Sequence, residues 1–210
     1  HVLIEPERRE AARLSRKFSD DPGITVVGCA VGSASGQQVL AVTRYPTRAS
    51  LRSPGSAEKD DVLRRDLVEV QRIDSLSFNL QRRPDVLKID VQGTEYEVIE
   101  GLGSLRPYVV SVEISLLGEY RGQHPAAKVF ERLNDLGYQR IDNPIVDAKV
   151  MTEDWALFSR DLYLGEWDRR SVHHYLLAHL IFGELESGIE RLQTGGSQAA
   201  SSELDPWRAL

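Results

Sequence analysis

Three acids and a histidine stand where this chain could do chemistry. Glu5, Asp90 and Glu113 each follow a short apolar run of strand character, VLI, VLKI and VVSV respectively, and His124 lies in the stretch after the last of these. In an open α/β sheet, ligands gather at the carboxyl ends of the strands, so an acid placed there points into a crevice rather than a core. Glu5 could accept hydrogen bonds from both hydroxyls of a ribose, or it could be a helix-start acid favoured by the helix dipole. Asp90 has three readings: a base, a group that orients a reacting hydroxyl, or a cap for the helix that follows. Glu113, one strand over, could share an acceptor with Asp90 or bind a cation. A metal site would need further ligands at defined spacing, and none is expected. His124 titrates in the range that suits proton removal near neutral pH, and a surface histidine is the plainer alternative. Glu119 and Tyr120 share its loop. Lys88 and Glu95 accompany Asp90: a structural ion pair is the default for the first, and a first-turn acid for the second.

Those residues need a scaffold, and apolar clusters alternating with helical patterns argue for an α/β class with a mostly parallel sheet. Strands are expected at 2–4, 25–30, 38–43, 68–72, 86–89, 109–113, 139–141 and 156–159. Helices are expected at 6–18, where Pro6 opens a face of Ala11, Leu14 and Phe18; at 73–80; at 94–102, closed by Gly103; and at 125–136, stopped by Gly137. Residues 45–61 contain Pro46, Pro54, Gly55 and several Ser without any period, and read as a long loop. After Asp161 the character changes. Residues 171–193 read as one helix capped by Ser171, with YLLAHLIF apolar nearly all round, which implies burial or a partner helix. Residues 194–210 have the composition of a flexible tail. No internal repeat is visible. The division is therefore 1–161 for the main domain, 162–193 for a helical appendage and 194–210 for the tail.

Composition excludes several classes. The 210 residues are 41% hydrophobic and 28% charged, with a net charge of −6, an ordinary globular balance without the basic footprint of a nucleic-acid binder. Trp155, Trp167 and Trp207 form no stacking platform. His173, His174 and His179 lack the four-residue spacing of a zinc-binding helix. The single cysteine, Cys29, rules out an intramolecular disulfide framework. It sits in the run ITVVGCA and reads as a buried inert thiol, which fits a reducing cytoplasm. No signal peptide is visible, and no apolar run approaches the ~20 residues that span a bilayer.

The run VLKIDVQGTEYEVIEGL at 86–102 resembles the signature of the FkbM-type methyltransferases, which usually reads LKIDVEGxExxVLxGL. Leu87, Lys88, Ile89, Asp90, Val91, Gly93, Glu95, Val98, Gly101 and Leu102 fall in register, and Gln92 stands where the family most often has Glu. IEPERREAARL is similar to the family's FEPxPxxxxxL. The resemblance implies a Rossmann-like class I methyltransferase sheet using S-adenosylmethionine, with Glu5 on the ribose and Asp90 near the sulfonium. In GCAVGSASG it implies that Ala30 and Val31 flank the adenine, through backbone contacts that tell little from side-chain identity. A plain strand-to-turn exit at Gly32 and Gly36 is the alternative there. The implied reaction is O-methylation of a hydroxyl on a sugar or polyketide-like small molecule. Methyl transfer from a sulfonium is an in-line displacement, so alignment supplies much of the acceleration. A positioning role for Asp90 therefore stays open beside a base role.

Members of that family also carry an earlier strand, a turn resembling DxGANxG and a helix, none of which occurs in these residues. The chain is accordingly expected to be an amino-terminally truncated copy whose cofactor site is incomplete. Strands 2–4 and 86–89 would then have open edges, and the chain would be unstable or would associate, with 172–192 as a contact helix. Two rival classes remain. A nucleotide-dependent oxidoreductase would explain Glu5 but not 86–102. A degenerate binding or scaffold module would explain Gln92 and the missing turn.

Overall fold

The computed structural model describes residues 1–45, 48–55, 62–76, 83–115, 118–140, 145–147 and 152–159, with backbone alone at 139–140, 145–147 and 152–159. The expected helix at 171–193, the tail and the boundaries at 162 and 194 lie outside the described residues. The chain divides into two compact units. One comprises His1–Asn79, Asp90–Leu105 and Ile114–Arg132, and the other Leu80–Ile89, Arg106–Glu113 and Leu133–Leu210.

In the first unit, β1 (Val2–Ile4) pairs in parallel with β2 (Thr25–Val27), joined by helix α1 (Arg8–Lys17). Glu7 starts α1: its carboxylate accepts from the amides of Arg9 at 3.1 Å and Glu10 at 2.8 Å. Arg16 and Lys17 complement the dipole at the other end. The single strand expected at 25–30 is in fact two. The chain leaves β2 after Val27, crosses Gly28 and Cys29, and enters β3 (Ala30–Val31), which pairs in parallel with β5 (Val62–Gln71). One stretch cannot serve two sheets, so the strand breaks where the partner changes. Cys29 is buried in that crossing, and burial pushes its thiol up, as an inert thiol should be.

Antiparallel to β5 runs β4 (Gly36–Thr43). Ala30, Leu40, Val42, Val68 and Val70 bury one face of this three-stranded sheet, with Ala49 and Leu51 packed against them. The expected strand at 68–72 therefore starts six residues sooner. Its early half, VLRRDL, alternates exposed and partly buried positions, a one-sided strand that charge disguises. Of the helix expected at 73–80, the described part is a 3-10 turn at Ile73–Ser75.

In the second unit β6 (Val86–Ile89) pairs in parallel with β7 (Val109–Ser115) in the register Ile89 to Val112. The sheet continues through β10 (Thr152–Ser159) to β8 (Tyr138–Arg140), and β9 (Ile145–Asp147) pairs with β10. Val109, Val110 and Val112 are fully buried, as a strand with neighbours on both edges requires. The buried Tyr138 hydroxyl donates to the Pro107 carbonyl at 2.7 Å. Helices α2 (Glu95–Glu100) and α3 (Ala126–Asp135) complete the elements, and the mixed α/β class read from the sequence stands. Among the described residues no helix is long and apolar enough to cross a membrane.

Candidate functional site around the Asp90 loop

Asp90 follows β6 directly and is exposed. Its carboxylate accepts from the Gln92 side-chain amide at 2.8 Å. It does not cap the next helix, because α2 starts at Thr94 without a side-chain cap bond.

Four residues fix the loop that carries it. Gln92 has φ 56°, a left-handed conformation that costs an ordinary side chain about 1–2 kcal/mol. Strain of this kind persists only where the surroundings over-determine it, and here they do. The buried Ser50 hydroxyl donates to the Gln92 carbonyl at 2.6 Å. The Tyr120 hydroxyl donates to the Gln92 side-chain oxygen at 2.8 Å. At the next residue the Arg52 guanidinium donates to the Gly93 carbonyl at 2.8 Å, while the buried Glu95 carboxylate accepts the Gly93 amide at 2.8 Å. Gly93 itself has φ 101°, and an added methyl group would lie 2.8 Å from the Tyr120 ring, so the position takes only glycine.

The segments around 50–55 and 119–121 are stitched to each other as well. Gly55 donates to the Glu119 carbonyl at 2.8 Å and Arg121 to the Ser53 carbonyl at 3.0 Å. The long aperiodic loop expected at 45–61 thus supplies, in its described part, the clamp on the Asp90 turn.

Electrostatically the loop is acid-rich. Burial pushes the Glu95 carboxyl above its ordinary 4.5; the Gly93 amide bond partly offsets this, and the charges of Asp90 and Glu97 add to the rise. Glu97 binds the Arg52 guanidinium through one oxygen, which also lies 3.5 Å from the His124 ring nitrogen. Its second oxygen is buried and has no hydrogen-bond partner among the described residues. The His124 ring lies 4.3 Å from that of Tyr96, and the Lys128 ammonium sits over Tyr96 at 4.8 Å.

The remaining expected residues are placed as follows. Glu5 is half-buried after β1. One oxygen accepts the Glu7 amide at 2.8 Å, and burial is the main cause of its raised pKa. Glu7, not Glu5, caps α1. Ala30 and Val31 are buried in β3, with Ala30 in the core cluster. Glu113 is half-buried on β7, one residue past Val112, the partner of Ile89, and belongs to the second unit. His124 is engaged with Glu97 and Tyr96. Among the described residues no three His, Cys, Asp or Glu side chains form a group that could hold a metal.

Sequence reading missed Arg52, Gln92 and Glu97 as members of this cluster. The available signal was Gly93 between a strand and a helix, which marks a turn without naming its partners.

The loop thus combines an acid at a strand end, a left-handed backbone and clamps from two other segments of an α/β fold. The family model described as the Methyltransferase FkbM domain matches residues 1–140, and the chain belongs to that family. No curated protein and no solved structure matches it.

Proposed function

We propose that this methyltransferase-family chain is S-adenosylmethionine-dependent and O-methylates a hydroxyl on a sugar or polyketide-like acceptor, on a Rossmann-like sheet. The observation that carries the reading is the Asp90 carboxylate, exposed at the end of β6 and held by the Gln92 amide at 2.8 Å. An acid fixed before substrate arrives suits a displacement in which alignment does much of the work.

The residues present fit the cofactor's adenosine portion. Glu5 is a half-buried acceptor at the end of β1, suited to paired ribose hydroxyls. The backbone of Ala30 and Val31 would flank the adenine. When bound, the cofactor supplies an electrophilic methyl group on a sulfonium. The chain's own task is to hold the acceptor hydroxyl and take up its proton. Asp90 would receive the hydrogen bond from that hydroxyl; Glu113 lies inside β7, two residues before its end, and is given no part in this reading. The orphaned Glu97 oxygen supports a polyhydroxylated acceptor, since it can accept from a further hydroxyl beside His124. A cytoplasmic site of action goes with this reading.

The test is transfer of tritiated methyl from S-adenosylmethionine to a panel of sugars and hydroxylated polyketide fragments. Transfer to at least one class, lowered about a hundredfold or more by Asp90→Asn, is expected. No transfer to any hydroxyl acceptor would count against the reading.

A further inference from the structure

Gln92 occupies the centre of the clamped loop, and its two amide atoms do different work. The nitrogen donates to the Asp90 carboxylate at 2.8 Å, and the oxygen accepts from the Tyr120 hydroxyl at 2.8 Å. The orientation follows from chemistry: an ionised carboxylate only accepts, so the amide must turn its nitrogen to Asp90. Tyr120 is 4% exposed, and its ring closes on Gly93. The backbone is pinned independently, by Ser50 on the Gln92 carbonyl. A left-handed φ at a non-glycine residue, with both ends of the side chain satisfied, is what a residue held for its side chain looks like.

We propose that Gln92 is a positioning residue, a neutral bridge between Tyr120 and Asp90 that orients the Asp90 carboxylate as an acceptor for the substrate hydroxyl. The role in methyl transfer rests on the function proposed above. The amide matters because the surroundings are already acidic: Glu95 and Glu97 carry carboxyls beside the loop, with Arg52 and His124 engaged on Glu97 and the Tyr120 phenol on Gln92. A carboxylate at position 92 would face Asp90 at hydrogen-bond distance. Two acids so placed share a proton, and one titrates well above its ordinary range. The amide gives the same reach without that proton. It also turns the departure at 92 from the pattern of similar chains into a functional choice rather than a sign of decay.

The experiment uses the full chain with carbon-13 at the aspartate carboxyls, the Asp90 signal assigned by Asp90→Asn, and titration followed by NMR. Gln92→Glu should raise the Asp90 midpoint by about one pH unit or more. Gln92→Ala should raise it less, through loss of one donor. In the unmodified chain the Gln92 side-chain amide signals should shift with the Asp90 titration, and Tyr120→Phe should weaken that coupling. This second readout holds if Gln92→Glu does not fold. An Asp90 midpoint unmoved in a folded Gln92→Glu chain, or Gln92 amide signals indifferent to Asp90, would overturn the bridge. Calorimetry with S-adenosylhomocysteine on the same samples separates the two claims. Binding with an unmoved midpoint overturns the bridge and leaves the methyltransferase reading. A moved midpoint without binding overturns that reading, and with it the role of Gln92 in methyl transfer.

Discussion

The Ser50 hydroxyl donates to the Gln92 carbonyl at 2.6 Å, across 42 residues of sequence. Ser50 is buried, and its side-chain oxygen also accepts the Arg52 amide at 2.9 Å. Ser50→Ala removes a donor and an acceptor at once. It should lower stability by about 1–3 kcal/mol, as unsatisfied buried polar groups do. Denaturant unfolding of the two chains checks it, and Ser50→Thr, which keeps the hydroxyl, should lose less unless its extra methyl is crowded.

Gly93 is the position where the backbone leaves no choice. Gly93→Ala combines a φ of 101° with a methyl group 2.8 Å from the Tyr120 ring. Strain plus overpacking should lower stability by about 2–4 kcal/mol. A second consequence is specific to this loop: displacing Tyr120 should disturb the Gln92 amide signals. Gly93→Ala with wild-type stability would contradict the described packing.

Glu95 makes stability depend on pH in a stated direction. Burial raises its carboxyl above 4.5, so the folded chain holds that proton more tightly than the unfolded one. The contribution is fully present below the unfolded value and is lost as pH rises through the raised folded value. Glu5 acts in the same sense. Stability attributable to these two groups should therefore fall as pH climbs from about 4.5 towards neutrality. Glu95→Gln keeps an acceptor for the Gly93 amide without the buried charge. It should flatten that slope and be at least as stable as wild type near pH 7. Melting temperatures of both chains across this range check it, and a steeper fall in Glu95→Gln would contradict the assignment.

How far the sequence revealed this arrangement depended on where the bonds go. The Asp90 turn was readable because its parts are contiguous: an apolar strand, an acid, a glycine and a helix. The place of Glu5 directly after β1 was readable for the same reason. The clamp was not, because Ser50 and Arg52 bind backbone carbonyls at Gln92 and Gly93, and a carbonyl carries no residue-type signal. Nor was the break at Gly28 and Cys29, since TVVGCAV is apolar throughout and only the change of partner from β1 to β5 divides it. The three-residue strand Ile145–Asp147 is defined by its pairing with β10 rather than by its own pattern. The left-handed Gln92 was hidden by its type, because glycine, asparagine and aspartate are the residues that advertise such a backbone.

The measurement that tests the account most directly is calorimetric titration of S-adenosylhomocysteine into this chain and into Glu5→Ala. Loss of a charged acceptor for ribose hydroxyls removes about 1.5–3 kcal/mol of binding, roughly a tenfold weakening or more. The account predicts saturable one-to-one binding that Glu5→Ala weakens by that factor, while the two chains unfold alike. Absence of binding to the chain, or binding indifferent to Glu5, would contradict it.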